Sequence, residues 1–341
     1  VDPQGRVWNK KDNRDSGGVA YVTIDIVHAT PDFIAADVRS YLIAENNLPT
    51  ATGGYAFTGN ADAFGNPQLT YWMHPARLAR LREGREAGQT INRLRYEINN
   101  QTYDAVSLTT HTEKIFESEI YDLKTGLLLS SSRSYRGDSV PVATAAGTMG
   151  AGQGATVISH ARLIGSRQLN LPWADDPAPQ WATPGRQLDY QGSKQSLLQG
   201  SSLPPLPASP MAVSFSIDRV VGECALVKMT TRSETGSGLP PQQSTNDRCY
   251  GSASLVGLWI SPNALRQLQP NQVIDQDSLT QRRVVYLGLQ GNAAVFMDQG
   301  PLEATYNSYD PQSGMLVGFQ STHQMANIGQ QQTQLQLMGT R

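Results

Sequence analysis

The feature that most constrains this chain is a phrase that occurs twice. The segment "YWMHPARLARL" begins at Tyr71, and "LWISPNALRQL" begins 187 residues later, at Leu258. Each has a tryptophan, a proline three positions on, and then two leucines that are three residues apart. Proline suits the first position of a helix, and residues three apart share a helix face. The phrase therefore predicts one short helix in each half of the chain, with its leucines turned inward.

The flanks of the two phrases also match, in the same order. Upstream, the alternating run at 20–27 corresponds to the run at 212–221. Downstream, four runs follow each phrase: 91–99, 103–113, 115–122 and 126–135 in the first half, and 279–289, 292–298, 302–310 and 314–324 in the second. Alternation with period two predicts strands, and similarity at a nearly fixed offset predicts a tandem duplication.

Two hairpin loops are the most specific part of this match. "YDLKTG" ends at Gly126 and "YDPQSG" ends at Gly314. In such a loop the aspartate side chain can accept hydrogen bonds from its own turn, and glycine supplies the left-handed exit. We therefore expect positive φ at both glycines.

The predicted fold is mainly β: a tandem duplication of a curled antiparallel sheet, half-barrel or lipocalin-like, with one short helix per repeat. The 31 glycines and 20 prolines favour such a turn-rich β fold. The predicted parts are an N-terminal arm (1–18), a first repeat (19–137), connecting strands with a proline-rich linker (138–210), and a second repeat (211–341). In pattern alone, without a shared motif, this resembles lipocalin-like barrels and lipid-handling envelope domains.

Composition and charge exclude several classes of partner. The net charge of −2, without a basic stripe, predicts no nucleic-acid partner. The chain has no apolar run approaching the roughly 20 residues that span a bilayer, so we expect no membrane-spanning segment.

Cys224 and Cys249 flank one polar loop, which predicts a disulfide. With a first residue other than Met, this favours an exported protein, extracellular or periplasmic, from which a signal peptide has been removed.

Few residues carry a recognisable chemistry. The glycine-rich stretch at 147–154 lacks the Gly-Lys-Ser/Thr ending of a phosphate-binding loop, and the five histidines lack zinc-site spacing. Glu117 and Glu119 share one strand face with Tyr121, which we expect to face solvent. The sequence therefore predicts no catalytic residue, no metal site and no cofactor.

The candidate ligand-binding residues come from the repeated phrase: Tyr71, Trp72, His74, Arg77 and Trp259. Ligands often bind at junctions between structural units, although core packing of both tryptophans is the alternative. The first hypothesis is an exported binding protein that holds an apolar or amphipathic small molecule in a curled sheet or between the repeats. The others are a cofactor-free isomerase, cyclase or hydrolase at the junction, and a structural or surface protein without a small ligand.

Overall fold

The structure is a computed structural model that describes residues 8–9, 14–15, 19–30, 33–43, 52–58, 71–86, 88–98, 100–137, 141–144, 147–150, 155–198, 207–234, 241–278, 280–301, 303–325 and 329–341. Within these ranges the chain is mainly antiparallel β with two short helices, as the sequence predicts. The rest of the chain lies outside the described residues. This includes most of the predicted arm and much of the proline-rich linker.

In the described part of the chain before the first helix lie β1 (Trp8–Asn9), β2 (Arg14–Asp15), β3 (Val19–Thr30), β4 (Phe33–Ile43) and β5 (Thr52–Thr58). β1 pairs with β2, and β3, β4 and β5 form a three-stranded sheet. β3 confirms the strand predicted at 20–27. β5 lies outside the predicted runs. Two glycines weaken the strand signal there, whereas the ladder to β4 supplies the pairing that holds the strand.

A six-stranded meander follows the first helix. The elements are α1 (Pro75–Arg80), β6 (Gly84–Glu86), β7 (Gln89–Ile98), β8 (Gln101–His111), β9 (Ile115–Asp122), β10 (Leu128–Gly137), β11 (Pro141–Thr144), β12 (Gly147–Gly150) and β13 (Ala155–Arg162). The sheet order is β13-β10-β9-β8-β7-β6, and β11 pairs with β12. The four runs predicted after the first phrase are confirmed as β7 to β10.

The second half forms one ten-stranded antiparallel sheet. Its elements are β14 (Gln187–Leu198), β15 (Ser209–Val221), β16 (Cys224–Ser233), β17 (Gln242–Gly251), α2 (Pro262–Gln267), β18 (Gln272–Asp277), β19 (Arg282–Gln290), β20 (Ala293–Gln299), β21 (Glu303–Tyr309), β22 (Leu316–Met325) and β23 (Gly329–Thr340). Its order is β17-β16-β15-β14-β23-β22-β21-β20-β19-β18, so β17 and β18 are its edge strands among the described residues. The four runs after the second phrase are confirmed as β19 to β22.

One face of the ten-stranded sheet carries the main core. Trp173, from the segment between β13 and β14, is fully buried and packs edge-to-face on Phe296, with ring centroids 6.0 Å apart. Phe296 packs in the same way on Tyr309, at 5.6 Å. The Tyr190 hydroxyl donates a hydrogen bond to the carbonyl oxygen of Leu316 at 2.6 Å. Strands from both sides of the sheet thus share one core.

The three-stranded sheet contacts the ten-stranded sheet near both of its edges. Arg248 of β17 binds the Asp37 carboxylate of β4 through two nitrogens, at 2.9 and 2.8 Å. Arg282 of β19, the strand next to the other edge, lies 3.9 Å from the Asp25 carboxylate of β3. These ion pairs hold the small sheet against strands that are far apart in the order of the large one.

The two hairpin loops have the same hydrogen bonds. The Asp122 carboxylate accepts from the amide and hydroxyl of Thr125, at 2.9 and 2.5 Å. The Asp310 carboxylate accepts from the amide and hydroxyl of Ser313 at the same two distances. Gly126 has φ 76° and Gly314 has φ 70°, which confirms the predicted positive φ at both.

Each loop is docked on the segment that leads into a helix. The carbonyl oxygen of Gly126 accepts from the Met73 amide at 2.9 Å, and that of Gly314 accepts from the Ile260 amide at 3.0 Å. A Cβ added to Gly126 would lie 2.0 Å from the Met73 carbonyl oxygen, and one added to Gly314 would lie 2.1 Å from the Ile260 carbonyl oxygen. Neither position has room for a side chain, so the loop and the helix start depend on each other.

The predicted disulfide is wrong: Cys224 and Cys249 are buried free thiols. They lie on the adjacent strands β16 and β17, but Cys224 pairs with Gly251 and Cys249 pairs with Leu226. Diagonal neighbours of this kind have Cβ atoms about 7 Å apart, whereas a disulfide needs roughly 3.8 Å. Burial raises the pKa of the Cys224 thiol, and Cys249 adds to the rise. Both thiols pack with apolar neighbours such as Val27 of the small sheet.

The free thiols predict the outcome of a titration. Unreduced protein denatured in guanidinium should show two reactive thiols, whereas the native protein should react slowly because burial keeps Cys224 protonated. The measurement is the absorbance of a thiol reagent with and without denaturant. A denatured, unreduced sample without reactive thiol would contradict the structure.

The docked loops predict that Gly126→Ala and Gly314→Ala are both strongly destabilising. Gly88→Ala is the matched control, because Gly88 has φ 82° but a Cβ there would meet nothing within 4 Å. The control should lose about 1–2 kcal/mol for the left-handed backbone alone. The two loop variants should each lose at least about 1 kcal/mol more, measured as the free energy of unfolding in urea. Equal losses in all three variants would refute the docking contact.

Candidate functional site

The two tryptophans of the repeated phrase are both buried, which matches the core-packing alternative, but they lie in different surroundings. Trp72 is 5% exposed, and its indole nitrogen donates to the carbonyl oxygen of Thr125 at 2.8 Å. Trp259 is 2% exposed and packs edge-to-face on Trp181, with ring centroids 6.0 Å apart. Trp259 belongs to the core of the ten-stranded sheet, whereas Trp72 packs against the hairpin loop of the six-stranded sheet. The described contacts do not bring the two rings together.

In the second half, Trp181 rather than Trp259 donates a hydrogen bond to the hairpin loop. Its indole nitrogen donates to the carbonyl oxygen of Ser313 at 3.1 Å. Ser313 stands 188 positions after Thr125, the acceptor of Trp72. The Trp259 indole nitrogen is buried without a hydrogen-bond partner among the described residues. The ring of Trp259 therefore acts through packing, and Trp181 makes the polar contact beside it.

The other predicted site residues surround the first helix. The His74 Nδ1 atom accepts from the Ala76 amide at 3.0 Å and so caps α1, whereas Ser261 makes no side-chain cap bond at α2. This reverses the expected preference for serine over histidine as a cap. The Tyr71 carbonyl accepts from the Leu128 amide at 2.9 Å, and Arg77 is exposed. No group of metal-ligating side chains is present among the residues that the structure describes.

A charged network occupies one face of β9 and β10. The Arg133 side chain is only 6% exposed, and its nitrogens lie 2.6 Å from the Glu117 carboxylate and 2.5 Å from the Glu119 carboxylate. The Tyr121 hydroxyl donates to Glu119 at 2.9 Å. The expectation that these carboxylates face solvent is wrong, because Arg133 from the neighbouring strand pairs with both of them. Glu117, at 29% exposed, is the more accessible carboxylate.

Neutral side chains occupy the matching positions of the ten-stranded sheet. The residues 188 positions after Glu117, Glu119 and Arg133 are Thr305, Asn307 and Ser321. Thr305 and Asn307 are buried, so this strand pair forms without buried charge. Burial raises the pKa of the Glu117 carboxyl; the Arg133 cation opposes the rise and the Glu119 carboxylate adds to it.

A groove of about 640 Å³ crosses the outward face of the ten-stranded sheet. Its floor is Ala212, Ser214 and Ser216 of β15, whose neighbours Val213, Phe215 and Ile217 point into the core. Small outward residues on a central strand leave a trough wherever the flanking strands carry long side chains. Three outward positions on one strand span about 13 Å.

The cross-strand register builds the walls of this groove. Each floor residue lies between one residue of β14 and one of β16, in the rows Gln191–Ala212–Arg232, Asp189–Ser214–Thr230 and Gln187–Ser216–Lys228. Arg341 lies beside the β14 wall, where its side chain binds Asp189 at 2.7 Å. The walls therefore present amides, hydroxyls and charges.

Asp189 is the one acidic residue among those that line the groove, and both of its carboxylate oxygens accept hydrogen bonds. Asp189 accepts from the Gln187 amide and the Ser214 hydroxyl, both at 2.8 Å, and from Arg341. Burial alone would raise the pKa of Asp189, but the bonds from Gln187, Arg341 and Ser214 hold it below its ordinary value. Asp189 therefore stays ionised and orders the β14 wall.

Sequence reasoning missed the groove, although a signal was present. The run "MAVSFSI" alternates correctly for a strand, but its outward positions are all small. Long polar residues on the flanking strands complete the pattern. The register between β14 and β15 is what aligns the three sets, and alternation alone does not give a register.

Comparisons with known proteins give no relative. The chain matches no family model, no curated protein and no solved structure. No helix within the described part of the chain is long and apolar enough to span a membrane.

The charged network predicts a pH dependence of stability. The raised pKa means that folded protein binds the Glu117 proton more tightly than the unfolded chain, whose ordinary value is 4.5. The free energy of unfolding should therefore fall as pH rises from that value through the raised one. Glu117→Gln should flatten this fall, whereas Glu97→Gln, at an exposed position of β7, should not.

Urea unfolding of the three proteins between about pH 4 and 8 measures the slopes. Equal slopes for the natural protein and Glu117→Gln would show that Glu117 is not the group responsible.

Proposed function

We propose that this chain is a binding protein that holds a polar, hydroxyl-bearing ligand in the groove along β15. The observation that carries the proposal is the row of small floor residues between two polar walls. Asp189 is fixed by Arg341 and Ser214, so this wall is ordered before a ligand arrives. Ordered polar groups in a concave site reduce the entropy lost on binding.

This ligand differs from the apolar or amphipathic molecule that the sequence led us to expect. In the three rows the outward side chains are amides, hydroxyls and charged groups, with Ala212 the one apolar residue. Met338 of β23, an exposed residue, adds one apolar side chain to the lining. The aromatic rings that suggested an apolar ligand are packed in the protein interior. A location outside the cytoplasm stays a proposal, without the support that the predicted disulfide would have given it.

We further propose that the two halves arose by tandem duplication, and that the large sheet wraps around its core as a half-barrel. The matched loop bonds of Asp122 and Asp310 support the duplication. So do the equivalent bridges of Trp72 to Leu127 and of Trp259 to Met315. The contacts of the small sheet near both edges of the large one support the half-barrel.

A second candidate function is a cofactor-free hydrolase that uses the charged network. Glu117 has a raised pKa and lies beside Glu119, which is held by Arg133 and Tyr121. A carboxyl group with a raised pKa suits general acid–base catalysis. If this candidate function is correct, the natural protein hydrolyses a saccharide and the Glu117→Gln variant does not. A structural protein without a small ligand is the third alternative.

The binding proposal predicts that Ser214→Trp abolishes ligand binding without unfolding the protein, because the indole would fill the middle of the groove. Gln320→Trp is the matched control, since Gln320 is exposed on the same face of the sheet but outside the groove. Fluorescently labelled natural protein and both variants are applied to an array of neutral and acidic oligosaccharides. Circular dichroism checks that each variant is folded.

The natural protein and the Gln320→Trp control should bind the same saccharides, and Ser214→Trp should bind none. An array without binding to the natural protein would refute the proposal and favour the structural alternative. Equal binding by Ser214→Trp would place the site elsewhere.

A further inference from the structure

We propose that the ligand of the groove is an extended acidic saccharide, whose carboxylate or sulfate groups lie against the β16 wall. The inference rests on the proposed function and specifies its ligand. The two walls differ in how their charges are paired. The β14 wall holds the close Asp189–Arg341 pair, whereas the cations of the β16 wall make a long, exposed ion pair and a hydrogen bond to a neutral amide.

On the β14 wall, the negative charge of Asp189 is already paired with a cation of the protein, Arg341. Arg341 places two nitrogens, at 3.0 and 2.7 Å, on the same oxygen of Asp189. The other oxygen of Asp189 accepts from Gln187 and Ser214. A ligand cation would have to displace Arg341 from this carboxylate, so the β14 wall selects against cations and offers hydrogen bonds instead.

The β16 wall carries two cations that no close ion pair holds within the described part of the chain, although exposed Asp247 of β17 lies opposite Lys228 in the strand register. Lys228 is 3.9 Å from Asp218, and both side chains are about half exposed, so solvent screens this pair. Arg232 donates through Nε to the neutral Gln243 side chain at 3.1 Å. Both cations line the groove. An anion on this wall would therefore gain charge-assisted hydrogen bonds without breaking a strong ion pair.

The spacing of these cations favours a ligand with repeated charges. Lys228 and Arg232 are four residues apart on one strand, so their Cα atoms are about 13 Å apart, with Thr230 between them. A single small anion cannot contact both, whereas an extended chain with charges along its length can. The floor of the trough follows three successive outward positions of β15, which suits such a chain.

The neutral groups distinguish a saccharide from an acidic peptide. Between the cations the rows offer Gln187, Gln191 and Thr230, which donate and accept hydrogen bonds as sugar hydroxyls require. The floor offers Ala212, Ser214 and Ser216 and no deep apolar pocket for peptide side chains within these rows. Hydroxyls along the whole ligand match this surface better than a peptide backbone with separate side chains.

The test is isothermal titration of the full chain with three probes: a galacturonate hexamer, its fully methyl-esterified neutral form, and a hexaglutamate peptide. The natural protein is compared with Arg232→Gln and Lys228→Gln. Arg283→Gln is the control, because Arg283 is an exposed cation of β19 outside the groove. Each titration is repeated at low and high salt.

The acidic hexamer should bind at least about tenfold more tightly than its ester, and salt should weaken it. Each groove variant should weaken the acidic hexamer about tenfold and leave the weak binding of the ester unchanged, while Arg283→Gln changes neither. Equal affinities for acid and ester would overturn the anionic inference but leave the groove proposal standing. Tighter binding of hexaglutamate would overturn the saccharide assignment, and binding of none of the probes would overturn the inference together with the function on which it rests.

Discussion

The pairing of β14 with two partners is the constraint on which the rest of the structure depends. One edge of β14 pairs with β15 and the other with β23, which comes from the end of the chain. Without these two ladders the β15–β17 meander and the β18–β23 meander would be separate sheets. Gly192 lies where β14 and β23 approach closely, because a Cβ there would lie 1.8 Å from the Gln334 carbonyl oxygen. Strand pairing at this point requires a residue without a side chain.

The groove and the core are two consequences of this junction. On the inward face, Tyr190 of β14 reaches across to the Leu316 carbonyl of β22 and joins the two meanders in one core. On the outward face, Asp189 stands between Ser214 of β15 and Arg341 beyond the end of β23. The side chains on one face of β14 therefore join the core, and those on its other face order the wall of the groove.

The matched strand pairs β9–β10 and β21–β22 differ in buried charge. The six-stranded sheet buries Arg133 between two glutamates, whereas the ten-stranded sheet has neutral residues at the matching places. Removing charges from water costs free energy that hydrophobic packing does not. Because the neutral version also forms a strand pair, fold formation alone does not account for the charged network. That contrast is why a second candidate function is retained for Glu117.

Local sequence patterns were enough to predict many of the strands. The candidate site depends on the register between strands, which local patterns do not give. Alternation located β3, β15, β7 to β10 and β19 to β22, and the loop chemistry of Asp122 and Asp310 located two glycines with positive φ. The disulfide failed because two cysteines on neighbouring strands can lie on the diagonal, and spacing along the chain does not reveal register. The groove was missed for the same reason. Trp72 and Trp259 drew attention as site residues because their burial in separate places is not visible in the sequence.

A crystal structure of the full chain grown with a galacturonate hexamer tests the central claim most directly, because it locates the ligand without assuming a site. The account predicts a saccharide lying along β15 above Ser214, with an acidic group within hydrogen-bond distance of Arg232. A hexamer bound on another face, or an empty groove at saturating hexamer, would contradict it.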